Sequence, residues 1–148
     1  MEKMSLFSRF ISWLNSPEVF GNISRKIPGE WQLYEYYMDE NNKLIHIQED
    51  KLQHDNLKMT LIFTEDVFNA DVHIPVSVVK GLEKGQWSTA KNYITFIDPQ
   101  NFRNNIEFQF AFEKGNLKLL KKDVKGMIEF FGFFKPLTEI QKKTKAEN

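Results

Sequence analysis

The side chains able to bind or transform a small molecule are few in this sequence. They comprise three histidines, His46, His54 and His73, and the carboxylates of Glu35 and Glu129, which interrupt otherwise apolar alternating runs. No two histidines stand at i, i+2 or i+4, the local spacings from which metal sites are usually assembled, so the three read as ordinary structural residues and His73 as a solvent-face strand residue. Glu35 is the more informative position. Strict alternation from Trp31 carries Leu33, Glu35 and Tyr37 onto one face of a strand. If that face is interior, an unpaired carboxylate there costs free energy or shifts its pKa upward, which marks a polar ligand contact or an acid/base group. A β-bulge would instead return it to solvent, and the two readings stand about equal. Glu129 poses the same question, because Met127, Phe131 and Phe133 share its parity while Ile128, Phe130 and Phe134 take the other. With no cysteine, the chain has no disulfide, thiolate zinc site or thiol nucleophile, and the redox compartment stays open. No Ser-His-Asp set, paired glycosidase-like carboxylates or phosphate-cradling glycine loop is present, so no catalytic residue, metal or cofactor is assigned.

The elements that must position these residues follow from periodicity. From Met4 the apolar residues Phe7, Phe10, Ile11 and Leu14 fall at i, i+3, i+4 and i+7, with Ser8, Arg9, Ser12 and Asn15 opposite, which predicts a short N-terminal helix. After Ile27-Pro28-Gly29 the period becomes two. Strands are expected around Trp31 to Tyr37, Lys43 to Gln48, Leu57 to Phe63, Phe68 to Ile74 and Ser77 to Val79, then from Gly85 to Ile97, Ile106 to Phe112, Leu117 to Lys121 and Met127 to Leu137. Glu49 to Asn56 reads as a polar loop. Eight or nine short strands with no helix between them predict a mostly β, antiparallel up-and-down barrel or a sandwich, since parallel pairing lacks its crossovers. The domain reading is a helical segment over 1–26, a barrel over 27–138 and a polar tail over 139–148.

Composition bounds the rest. The 148 residues suit one domain, and eleven of the fourteen phenylalanines lie from Phe63 onward, in the strand-rich part. Twenty basic residues balance twenty acidic ones, which disfavours a nucleic-acid or anionic-membrane partner. No run reaches the ~18 apolar residues of a membrane span, and Ser5, Ser8, Arg9 and Ser12 break the apolar stretch a secretory signal needs, so the expected location is cytoplasmic.

Gly29-Glu30-Trp31 resembles the Gly-x-Trp that opens the first strand of lipocalins, here after a helical lead-in, and the resemblance to bacterial lipocalin-like domains of the calycin superfamily covers roughly residues 28 to 137. It implies that Trp31 plugs one end of the barrel and that a basic residue of the last strand lies across its ring. Lys135 is the candidate, where the family more often supplies arginine. The leading reading is a non-enzymatic binder that holds a small apolar or amphipathic molecule inside the barrel. Its expected lining is Leu33, Tyr37, Met59, Leu61, Phe108, Phe110 and Phe131, with Glu35 as the polar handle. The phenylalanine row over Phe108, Phe110 and Phe112 serves a packed core equally well. Two rivals stand beside it: an isomerase- or lyase-type barrel enzyme using interior Glu35 with Tyr37 or a histidine, and an interaction module that docks through the N-terminal stripe. Because Phe130 to Phe134 is apolar on both faces, one side of it is exposed, covered by the N-terminal helix or used in a homodimer.

Overall fold

The structure is a computed structural model that describes residues 23–137, and the expected N-terminal helix and C-terminal tail lie outside them. Nine strands form one antiparallel sheet: β1 (Gly29–Glu40), β2 (Lys43–Ile47), β3 (Lys58–Phe63), β4 (Val67–His73), β5 (Lys84–Ala90), β6 (Tyr93–Ile97), β7 (Ile106–Glu113), β8 (Asn116–Lys122) and β9 (Ile128–Pro136). β1 is the organising strand. Its first residues pair with β3, its last with β2, and β9 runs along its other side from Trp31↔Pro136 to Tyr37↔Phe131. That last pairing closes an eight-stranded barrel and leaves β2 as an additional strand, a form compatible with a lipocalin-like fold. Tight turns keep the meander short. Asn41 and Asn42 both take positive φ (53° and 64°), the conformation a two-residue hairpin loop needs, and asparagine adopts it at less cost than most residues.

Two expectations about connections are corrected. Glu49–His54, within the stretch read as a polar loop, is a short helix, α1, whose Leu52 is buried in the interior cluster. Ser77–Lys80, which includes the expected Ser77 to Val79 strand, is a single helical turn, α2, with Val79 fully buried. Pro75 fits the second, since it removes the ladder donor that would carry β4 on past His73; β4 meets β5 only near its start, over Val67–Asn69. α2 packs against β4 and β9 and seals the interior there with Ile74, Val76 and Val79. None of the described helices is long and apolar enough to cross a membrane.

Aromatic rings meet one another across the barrel interior. Phe63 and Phe68 both meet Phe96, Phe96 meets Phe108 at 5.4 Å and 89°, Phe108 meets Phe130 at 6.3 Å and 80°, and Phe130 meets Tyr36 and Phe134. These edge-to-face and tilted contacts are the arrangement aromatic quadrupoles prefer, and they run from wall to wall. Trp31 packs on Phe112 and donates its indole N–H to the Ile27 carbonyl at 2.8 Å, so its polar edge is satisfied while its ring is buried.

β1 does not keep strict alternation. Pairing with β9 steps from Leu33↔Phe134 to Glu35↔Phe133, a β-bulge that inserts one residue. Trp31 and Leu33 face inward before it, Tyr36 and Met38 after it. The alternation-based expectation that Glu35 and Tyr37 share the interior face of Trp31 is therefore corrected: the bulge turns both to the outer wall.

Candidate functional site

A concavity opens at the wall where the β4–β5 seam is short. It is a cleft of about 1040 Å³ between α2, the first residues of β5 and the loop joining β6 to β7. That size suits a whole small ligand. Its accessible apolar lining comes from Val67, Val78, Ile97 and Ile106, with the nearly buried Phe68, Leu82 and Phe96 of the interior cluster behind them. Gly85 lets the walls approach: a Cβ there would stand 2.3 Å from the Ile97 carbonyl oxygen.

The loop beyond Ile97 supplies the polar side, and its sequence explains its shape. Asp98 accepts hydrogen bonds from the backbone N–H groups of Gln100 (2.9 Å) and Asn101 (3.3 Å) and from the Asn104 side chain (3.0 Å). Asn105 accepts from the Asp98 backbone N–H at 2.8 Å, and Asn101 accepts from that of Arg103 at 3.1 Å, closing a single 3₁₀ turn over Phe102–Asn104. Short Asp and Asn side chains that bond back to nearby backbone are the residues for such a loop. The Asn104 amide, then the two backbone donors, holds the Asp98 carboxyl below the usual aspartate range. With Asp98 committed to the loop, the cleft's remaining charged groups are Lys84, Arg103 and Glu83. Neither Lys84 nor Arg103 forms an ion pair among the described residues.

The structure divides the residues expected to line a ligand. Leu33, Met59, Leu61, Phe108 and Phe110 come together inside the barrel, where each is buried against its neighbours. Glu35, Tyr37 and Phe131 stand on the outer wall. There Glu35 holds His46 Nε2 at 2.6 Å, and the Tyr37 ring stacks on the His46 ring at 4.1 Å and 8°, which ties β2 to β1. Burial, with Glu35 nearby as the lesser cause, raises the Tyr37 pKa. The barrel enzyme built on an interior Glu35 and Tyr37 loses its geometric premise. The expected closure by Lys135 is corrected as well. Lys135 pairs with Gln32, on the face opposite the Trp31 ring, and its ammonium donates to Glu49 at 2.8 Å. The described residues contain no group of three or more His, Asp and Glu placed to hold a metal ion.

The cleft residues Lys84, Asp98, Arg103 and Asn105 were not reached by sequence reasoning. The available signal was the run from Asp98 to Asn105, which is longer than the two-residue turns after β1, β5 and β7 and carries Asp98 with three asparagines. Comparison of the chain with protein-family models, with curated proteins and with solved structures returns no match.

Proposed function

We propose that this protein is a lipocalin-like, non-enzymatic binder of a small amphipathic molecule, held in the cleft between α2, β5 and the Asp98–Asn105 loop rather than deep in the barrel. The observation that carries the reading is the wall-to-wall aromatic packing from Phe63 through Phe96 and Phe108 to Phe130, which leaves the interior to the protein's own rings and makes the side cleft the space for a guest. The apolar part of the ligand rests on Val78 and Ile106, which are partly exposed and pack against the interior cluster, and its acidic or strongly accepting group meets Arg103 and Lys84. The loop's internal hydrogen bonds fix the backbone from which Arg103 projects, which lowers the backbone ordering cost of binding.

The test is titration of the full chain with anilinonaphthalene sulfonate, an aromatic molecule with one anionic group, followed by fluorescence. Arg103→Gln is expected to weaken binding roughly tenfold, the worth of a charge-assisted hydrogen bond, and Lys84→Gln by less. Unchanged affinity in the double variant overturns the assignment of the cleft.

A further inference from the structure

The outer wall of the barrel is buried where a strand residue ordinarily meets water. Phe131 and Ala111 are 0% exposed and Leu120 1%, yet all three stand on the outside of the sheet in a cluster separate from the interior. Phe133 belongs to the same cluster, with the Lys118 ammonium 5.2 Å above its ring. The Lys118 side chain is 10% exposed although its ion-pair partner Glu113 is 55% exposed. An outer-face phenylalanine and a lysine are so fully excluded from water only beneath a further layer of protein. The cluster's residues come from β1, β2, β7, β8 and β9, whereas α1 and α2 send Leu52 and Val79 to the interior.

We propose that the covering layer is this chain's own N-terminal stretch, with Phe7, Phe10, Ile11 and Leu14 laid against Tyr34, Tyr37, Phe131 and Phe133. The helical spacing of those four residues gathers them on one side and leaves Ser8, Arg9, Ser12 and Asn15 for solvent. The face is long enough. A helix from Phe7 to Leu14 is about 11 Å long, and it fits within the row from Ile128 to Phe133 on β9, which is about 17 Å long. Reach agrees too. The described chain is anchored by Ile27 under Trp31, which pairs with Pro136, and Phe133 stands about 10 Å up the same strand from there. The eight residues from Asn15 to Asn22 span up to roughly 28 Å when extended. An intramolecular occupant so tethered has a high effective concentration at the face, which favours it over a second copy of the chain.

The full chain lacks cysteine, so Ser12→Cys accepts a single nitroxide spin label. In the isotope-labelled protein, the amide signals of Leu120, Phe131 and Phe133 are expected to lose most of their intensity, while those of Asp71 and Trp87 on the far wall keep theirs. Adding Phe10→Glu with Ile11→Glu should restore the lost signals, whereas Arg9→Glu should not. Retained intensity at Phe131 and Phe133 in the singly labelled protein overturns the proposal. So does loss of those signals when spin-labelled protein without isotopes is mixed with the isotope-labelled, cysteine-free parent protein, because a second copy would then be the cover.

Discussion

Replacement of Phe108 by alanine distinguishes a filled barrel from a hollow one. Phe108 is 1% exposed and wedged between the Phe96 and Phe130 rings, with centroids at 5.4 and 6.3 Å. In a close-packed interior, Phe108→Ala forfeits the transfer free energy of the ring and leaves a cavity the neighbouring strands only partly collapse into, about 3–5 kcal/mol in all. Domains of this size hold about 5–15 kcal/mol of stability, so the loss should lower Tm by roughly 10–20 °C. Were the interior an open chamber, the same side chain would line existing space and its removal would create no new void, costing about 1.5 kcal/mol or less. Urea unfolding of the full chain gives the difference directly. Benzene supplies a second reading. A new dry, ring-lined cavity should admit it and raise the Tm of Phe108→Ala while leaving the parent protein unchanged. A loss under about 2 kcal/mol, with benzene stabilising the parent protein, would refute the filled barrel and return the ligand to the interior.

Gly132→Ala should cost about 1–3 kcal/mol by overpacking, because its Cβ would fall 2.3 Å from the Phe130 ring and 3.1 Å from Leu33, and Phe130 is itself pinned by Tyr36, Phe108 and Phe134; thermal unfolding reads this. A double-mutant cycle on Glu35→Ala and His46→Ala should return a coupling of about 0.2–1 kcal/mol that shrinks in high salt, as a half-exposed pair on the outer wall requires; a much larger, salt-insensitive value would put the pair in a dry interior. The Asp98 carboxyl sits below the ordinary value of 3.8 in the folded loop, so its contribution is present above that pH and lost as the pH falls through the lower folded value. A carbon-detected NMR titration should find its midpoint below 3.8, and Asp98→Asn should loosen the loop at neutral pH and weaken ligand binding in the cleft. Burial raises the phenol pKa values of Tyr34, Tyr36 and Tyr37, so unfolded chains ionise first and stability should begin to fall as the pH climbs past 10.0; denaturation midpoints on either side of that pH test it.

Much of the barrel could be read from period alone. Met59, Leu61 and Phe63 on β3 and Phe108, Phe110 and Phe112 on β7 alternate without interruption, and each set faces the interior. What period could not give is where it breaks. Tyr34-Glu35-Tyr36-Tyr37 is equally plausible on either face, because a half-exposed tyrosine and a buried one are the same residue in sequence, and the bulge that chooses between them is fixed by how β1 meets β9. The helical turns α1 and α2 were invisible for a related reason. Each is too short to show a 3.6-residue stripe.

The double-faced run Phe130-Phe131-Gly132-Phe133-Phe134 shows how one ambiguity settles another. Parity alone offers two registers, and Gly132 decides between them. Its side of the strand is the crowded one, where any Cβ meets Phe130 and Leu33, so Phe130 and Phe134 must share the interior with it. Phe131 and Phe133 then face out, which puts them beside Tyr37 and Tyr34 only because the β1 bulge has already turned Tyr37 to the same wall. Remove the inserted residue and Tyr37 would return to the interior, leaving Phe131 without its neighbour from β1. The bulge in one strand and the glycine in the next therefore specify a single arrangement, one set of rings filling the barrel and a second set building a face on its outside.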